Sequence, residues 1–310
     1  MVCGKWRLGR EIGRGAYGAV YIATDPDGDT VAVKVCRRDR MDRDRYQREL
    51  RGAKLYRSIH AVAGLVRMLG FDECNWGFYA AMELADDEFG VCPSGISDYH
   101  PKTLASIIAG ETALSVEDSV ELGISLAKGL IVLHRHHLLH RDVKPGNVLY
   151  VHGCPVLADW GLVVDEAEAM SHVGTPGYVP PENFTGADGD IFSLGLTLKA
   201  ASFGRPVEDL DMGPAMEADT DNRLFAAWWR ILNRATNLDH ARRYRSAKAL
   251  LKDLMSLRRR MAVSTLIRPR EMPIFVWFAI FAALTTWALS LVFRMILEYM
   301  EICNGLSKLS

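Results

Sequence analysis

The chain predicts an α+β fold, a strand-rich N-terminal part with one helix and a longer helical part, followed by a single transmembrane helix. Three observations predict it. Alternating and β-branched segments interrupted by glycines crowd residues 6–84, helical periodicity takes over from residue 103, and residues 274–293 carry no charge. The 310 residues suffice for about two domains or one large bilobal one. A formal net charge of −1 gives no electrostatic reason to expect a nucleic-acid partner. Cys3, Cys36, Cys74, Cys92, Cys154 and Cys303 are scattered without a Cys-x-x-Cys pair, which predicts free thiols in a reducing compartment. A strand-like pattern begins by Trp6, so no signal peptide is expected.

Residues 6–36 read as three strands. Residues 6–11 alternate loosely, Val20, Tyr21 and Ile22 follow, and the turn Asp25-Pro26-Asp27-Gly28-Asp29 leads into the β-branched run 30–35. Gly13, Gly15 and Gly18 lie in the first hairpin, where the missing Cβ atoms let backbone N–H groups approach a phosphate. Gly-x-Gly-x-x-Gly alone is a weak signal. Here it sits between two strands, with Val20 two residues on and Lys34 sixteen residues after Gly18. That setting differs from the dinucleotide fingerprint, which needs a strand and then a helix.

Residues 37–57, with nine basic and four acidic side chains, predict a helix with a largely solvated charged face. Residues 65–71 and 76–84 predict two further strands, completing a five-stranded sheet. Residues 86–102 are polar and broken by Pro93, Gly95 and Pro101, and read as an insertion on the substrate side. Residues 103–110 and 115–134 predict helices, the second burying Val120, Ile124, Ala127, Leu130 and Ile131. His134, His136, His137 and His140 cluster, but no paired cysteine or acidic residue completes a zinc-type set.

His140-Arg141-Asp142-Val143-Lys144-Pro145-Gly146-Asn147 packs a base, two cations and a metal-type ligand into eight residues, and Asp159-Trp160-Gly161 adds a carboxylate twelve residues after Asn147. This combination resembles the catalytic and metal-binding loops of eukaryotic-like Ser/Thr protein kinases of the bacterial type. The resemblance covers residues 6–257 and implies the bilobal protein-kinase fold, with N-lobe and hinge at 1–85 and C-lobe at 86–257. It implies ATP and Mg²⁺ (Mn²⁺ as the alternative) as cofactors, and Ser/Thr-bearing proteins, including the chain itself, as substrates.

The resemblance also implies roles. Asp142 accepts or orients the proton of the substrate hydroxyl, and Lys144 neutralises the transferring phosphoryl group. Asn147 and Asp159 bind the metal. Gly13, Gly15, Gly18 and Val20 cover the nucleotide, and Lys34 bridges its α- and β-phosphates. Glu49, with Asp44 as runner-up, would fix the Lys34 ammonium. Met82 takes the gatekeeper position, and the backbone of Glu83 and Ala85 meets the adenine edge. His140 packs inside the catalytic loop, and Asp190, within 188–195, holds that loop's backbone. Glu182 would pair with a late arginine, Arg243 first and Arg242 second.

Two departures from the family pattern stand out. Trp160 replaces the usual phenylalanine, and Ala53 lies where a larger aliphatic residue is common, so the small Ala53 is expected to make room for Trp160. Pro180-Pro181-Glu182 replaces Ala-Pro-Glu. In the short activation segment, Thr175 is expected near Asp142 and Lys144. Arg141 before the catalytic aspartate goes with control by phosphorylation, with Ser171 as the acceptor and Thr175 second. Asp165, Glu166 and Glu168 argue the other way by already supplying negative charge.

Residues 274–293 are twenty uncharged residues, about 30 Å of helix at 1.5 Å per residue. Trp277 and Trp287 suit an interface, and Arg258, Arg259, Arg260, Arg268 and Arg270 precede the stretch. The positive-inside rule puts residues 258–273 and the kinase in the cytoplasm, with the tail 294–310 outside. Ala279 and Ala283 form a weak small-xxx-small pair that would pack two such helices as a homodimer. Two functional classes stay open, an active membrane-anchored kinase and a kinase-fold scaffold that binds nucleotide without turnover. The presence of Lys34, Asp142, Asn147 and Asp159 together favours the first.

Overall fold

The computed structural model describes residues 2–15, 18–59, 62–90, 99–166, 174–182, 186–209 and 223–267, and beyond these the helical residues 281–282, 285–292 and 294. The chain forms two compact units, Met1–Met261 and Ala262–Ser310.

The first unit begins with a six-stranded antiparallel sheet, one strand more than the sequence predicts. It contains β1 (Val2–Cys3), β2 (Trp6–Gly15), β3 (Gly18–Thr24), β4 (Thr30–Arg37), β5 (Met68–Cys74) and β6 (Gly77–Met82), in the order β1-β2-β3-β4-β6-β5. The extra strand turns back through residue 4 and pairs Val2 with Arg7 and Cys3 with Trp6. Two residues show no periodicity to read; the backbone pairing with β2 and the burial of Cys3 hold them in place. β4 is covered on both faces, as strand alternation allows. Val31, Val33 and Val35 pack with Trp6, Tyr79 and Ala81. Ala32 and Cys36 join Phe78 and Ala80 under α1 (Arg43–Arg57), where Tyr46 meets Phe78 edge-on at 5.7 Å.

The predicted helix 37–57 begins later than its charge pattern suggests. Asp42 caps it by accepting from the Arg45 N–H at 2.9 Å, and Arg38–Arg40 form a separate 3-10 turn. The predicted strand 65–71 begins at Met68, because Leu65 makes an isolated parallel bridge to Leu157 instead. Residues 83–85 leave the sheet and become the connection to the second lobe.

That lobe is helical, with α2 (Leu104–Ala109), α3 (Val116–Arg135), α4 (Ala187–Phe203), α5 (Arg223–Ala235) and α6 (Ala247–Ile267). Thr103 and Ser106 form a reciprocal capping box at α2, and Ser115 caps α3. Val120, Ile124, Ala127 and Leu130 are buried as predicted, whereas Ile131 is half-buried. α4 is buried on nearly every face and forms the centre of the lobe. Two small antiparallel pairs complete it: β7 (Leu138–Leu139) with β10 (Val164–Asp165), and β8 (Val148–Val151) with β9 (Cys154–Leu157). Together they clamp both ends of loop 140–147 and of the loop carrying Asp159. Cys3, Cys36, Cys74 and Cys154 are free thiols.

Among the described residues no helix is long and apolar enough to cross a membrane. Residues 268–280, 283, 284 and 293, which make up much of the predicted juxtamembrane and membrane segment, lie outside the described residues, as do Ser171, Cys92 and Cys303.

Candidate active site

A cavity of about 470 Å³ opens between the lobes, walled by Gly13, Gly15, Gly18, Val20 and Ala32 above and by Asn147, Leu149 and Asp159 below. Met82, Glu83, Leu84 and Ala85 form its back edge. Lys34 projects into it from the buried strand β4. Its ammonium donates at 2.9 Å to Glu49 Oε2 and at 2.9 Å to Asp159 Oδ1, so one cation joins the sheet, α1 and the second lobe. Asp44, the alternative to Glu49, is exposed on α1.

Burial alone would strip the Lys34 charge, but Asp159 and Glu49 outweigh it and raise the pKa, so the ammonium stays charged. Burial pushes Glu49 up to about 7 against the pull of Lys34. Burial also raises the Asp159 carboxyl, yet the Lys34 charge and hydrogen bond leave it below its ordinary value. The sequence separation of these three residues spans 125 positions, and only the fold brings them together.

Asp142 is a second point of convergence, on the loop that brings Lys144 and Asn147 to the cavity. Thr175 Oγ1 donates to its Oδ1 at 2.7 Å, Asn147 Nδ2 to its Oδ2 at 2.8 Å, and the Lys144 ammonium lies 2.9 Å from Oδ2. Lys144 also donates to Thr175 Oγ1 at 2.6 Å. Asp142 is thus oriented from three sides by the loop it sits on and by the activation segment.

Asp190 of α4 holds that loop from behind. Its Oδ2 accepts from the His140 N–H at 2.9 Å and its Oδ1 from the Arg141 N–H at 2.8 Å. His134 Nε2 lies 2.9 Å from Oδ2, a partner that the sequence suggested only as a helix end. Burial raises the Asp190 carboxyl, but His134 and the backbone donors hold it below its ordinary value. His140 is fully buried, and burial lowers its pKa, so its ring is neutral. Nε2 then donates to the Ala158 carbonyl at 3.2 Å, and Nδ1 accepts from the Asp142 N–H at 3.3 Å. Arg141 and Asp159 both take φ of +66°, a left-handed conformation uncommon for side-chain-bearing residues. No sequence pattern announced it.

Trp160 is fully buried beside Tyr56, with ring centroids 5.5 Å apart, and its Nε1 has no hydrogen-bond partner among the described residues. Ala53 is fully buried in the same core, but the closest approach is made at Gly52. A Cβ there would stand 2.1 Å from the Trp160 carbonyl oxygen. One at Gly161 would stand 2.0 Å from Glu49 Oε1. The sequence reasoning missed Gly52; an isolated glycine inside a helical pattern was the available signal.

Of the two candidate arginines, Arg243 meets Glu182, through Nη1–Oε1 and through Nη2–Oε2 at 2.9 Å, while Arg242 pairs with Asp239. Burial raises the Glu182 carboxyl, but this fork outweighs it and leaves the pKa lowered. Residues 86–102 depart from the expected substrate-side placement at their C-terminal end, because Tyr99 and Pro101 line the cleft itself. Residues 91–98 lie outside the described residues.

The donor set suits a divalent cation shared with phosphates. The Asn147 amide and the Asp159 carboxylate wall one cavity and offer hard oxygen donors, and among the described residues no cluster of three or more His, Cys, Asp or Glu makes a self-sufficient metal cage. A cleft with a phosphate-facing glycine turn, a fixed lysine, an oriented carboxylate and a two-ligand metal edge is equipped for phosphoryl transfer.

Comparison with known proteins agrees. A family model described as the protein kinase domain matches residues 6–267. The chain is 32% identical over 236 residues to the serine/threonine-protein kinase PknK of Mycobacterium tuberculosis, covering 71% of this chain and 19% of that protein. It is 33% identical over 242 residues to the serine/threonine-protein kinase AfsK of Streptomyces griseus, covering 69% of this chain and 27% of that protein. The crystal structure of the Mycobacterium tuberculosis PknI kinase domain superposes with a TM-score of 0.61 at 20% identity, covering 83% of this chain and 97% of the other, which speaks to the fold. The chain belongs to the protein kinase domain family. Within it, the chain carries a kinase domain similar to those of the serine/threonine-protein kinases named above. It spans about a fifth to a quarter of the length of these two curated relatives.

Proposed function

We propose that this protein transfers the γ-phosphoryl group of Mg-ATP to Ser and Thr hydroxyls of proteins, itself included. The convergence of Lys144, Asn147 and Thr175 on Asp142, together with the Lys34–Glu49–Asp159 group, supports this reading most. Asp142 takes the proton of the attacking hydroxyl, whose oxygen bonds to the γ-phosphorus as the β–γ bridging oxygen leaves with ADP. Lys144 offsets negative charge on the transferring group, and Lys34, fixed by Glu49, holds the α- and β-phosphates. When bound, the divalent cation on Asn147 and Asp159 neutralises and orients the phosphates. The test is incorporation of labelled phosphate from ATP into the protein and a basic protein substrate, with Asp142→Ala as control. Loss in the variant is the expected result, and equal incorporation in both would leave the scaffold reading.

The same proposal places the domain at the inner face of a membrane, anchored by residues 274–293. Its support is the uncharged twenty-residue stretch, the arginines at 258–260, 268 and 270 before it, and the internal satisfaction of its hydroxyls. Thr285 and Thr286 each donate to the Ala282 carbonyl at 2.9 Å, and Ser290 to the Trp287 carbonyl at 2.7 Å, as a lipid surround demands. Membrane pellets that retain the protein in alkaline carbonate, with a protease-accessible tag at the C-terminus of intact cells, are the expected result. Release into the supernatant would remove the anchor. Pairing of two chains through Ala279 and Ala283 and control by phosphate on Ser171 or Thr175 belong to this reading. Mass spectrometry of active protein with both hydroxyls unmodified would exclude the control.

A further inference from the structure

The hinge presents a short row of backbone groups to the cleft, and one of them is already taken. The Tyr99 hydroxyl donates to the Ala85 carbonyl at 3.0 Å. Tyr99 is 3% exposed, and it is held there from both sides. Its own carbonyl accepts from Arg10 Nη2 on β2 at 2.6 Å. Next to it, Asp87 accepts from the His100 N–H at 2.9 Å, and the Lys102 N–H bonds to the Asp86 carbonyl at 2.8 Å. Burial raises the Tyr99 phenol pKa, so the hydroxyl keeps the proton it donates. The Glu83 N–H points away from the cleft to the Arg67 carbonyl at 3.1 Å. A purine edge is left with the Glu83 carbonyl as acceptor and the Ala85 N–H as donor.

We propose that Tyr99 is a specificity-determining residue that makes the cleft select adenine over guanine nucleotides, a proposal that rests on the nucleotide occupying this cleft. Adenine presents an N6–H donor beside the N1 acceptor, which matches the Glu83 carbonyl and the Ala85 N–H. Guanine presents the O6 acceptor beside the N1–H donor, so it must shift along the hinge to the Ala85 N–H and the Ala85 carbonyl. Tyr99 already donates to that carbonyl and lines the cleft beside it, so the guanine N1–H would have to compete with the phenol for the remaining lone pair. Sites reject a ligand most strongly when binding leaves a polar group unpaired. The contact comes from the return of residues 99–102 to the hinge.

The test is calorimetric titration of the full chain with Mg²⁺ and non-hydrolysable ATP and GTP analogues, in wild type, Tyr99→Phe and Tyr99→Ala. The ratio of the GTP-analogue Kd to the ATP-analogue Kd should fall about fivefold or more in Tyr99→Phe, as expected for one hydrogen bond made available, and at least as far in Tyr99→Ala. An unchanged ratio in a Tyr99→Phe variant that still binds the ATP analogue overturns the proposal and leaves the nucleotide cleft standing. Failure of wild type to bind either analogue removes both. Should Tyr99→Ala not fold, Tyr99→Phe, which lacks only the hydroxyl, decides.

Discussion

Gly52 on α1 lies against the Trp160 backbone so closely that a Cβ at position 52 would meet the Trp160 carbonyl oxygen at 2.1 Å and that of Val163 at 3.5 Å. The helix therefore touches the Asp159-Trp160-Gly161 loop through its backbone, and the approach that sets Glu49 on Lys34 depends on a missing side chain. Gly52→Ala gains helix propensity of about 1 kcal/mol, yet overpacking of a closed contact costs about 1–3 kcal/mol and displaces α1. Lower stability in urea together with reduced phosphotransfer is expected. A variant as stable and as active as wild type would refute the contact's role.

Ala53, one residue on, is fully buried in the same core as Trp160. Ala53→Leu adds three carbons to that column and should cost about 1–3 kcal/mol, read as a shift of the urea midpoint. An unchanged midpoint would show that the column has spare room.

Glu49 binds its proton more tightly folded, at about 7, than at the ordinary value of 4.5. Between those pH values the native state holds more protons than the unfolded state, so this residue's contribution to stability falls as pH rises from 4.5 to about 7. Glu49→Gln stays neutral throughout. The melting temperature of Glu49→Gln relative to wild type should be higher at pH 8 than at pH 5, while phosphotransfer falls because an amide holds the ammonium poorly. Equal differences at the two pH values would contradict this.

Asp190 behaves with the opposite sign. Its folded pKa is depressed below 3.8, so its stabilisation is present above that value and is lost as pH falls through the folded pKa. Asp190→Ala removes the acceptor from His140 N–H, Arg141 N–H and His134. Leaving buried donors of this kind unpaired should cost about 3–5 kcal/mol, measured by chemical denaturation. A loss below 1 kcal/mol would mean that the loop has another support.

Thr175→Val removes the hydroxyl shared by Asp142 and Lys144 and should lower kcat about 10²-fold with a smaller effect on KM for ATP. Thr175→Ser keeps the hydroxyl and should recover most of the rate. A valine variant with wild-type kcat would show that the bridge is dispensable.

Much of the site was legible because its residues sit in short windows where spacing alone carries meaning. Asp142, Lys144 and Asn147 share one loop, and the Gly13–Gly18 turn and the Asp159-Trp160-Gly161 stretch are local patterns. Glu49 could be picked from a charged helix because one carboxylate there stands among packing residues. What spacing could not supply were contacts with no local signature. The two-residue strand Val2–Cys3 has no period, and the start of α1 was decided by the Asp42 cap rather than by the run of arginines before it. Neither the fit of Gly52 under Trp160 nor the seat of Tyr99 on Ala85 depends on sequence neighbours.

The sequence by itself determined which chemical groups are available, because a carboxylate, an ammonium and hard oxygen donors are properties of residue type. It also determined most of the helices and strands, because hydrophobic period and capping are local, but not the strand Val2–Cys3 or the start of the strand Met68–Cys74. Tertiary structure alone decided which charges meet, since Lys34 reaches Glu49 and Asp159 only when the sheet, α1 and the lower lobe close on one another. It also decided which hinge groups stay open to a base. Both outcomes rest on the same physics: a buried polar group must find a partner, and in a folded chain that partner is set by packing rather than by position along the sequence.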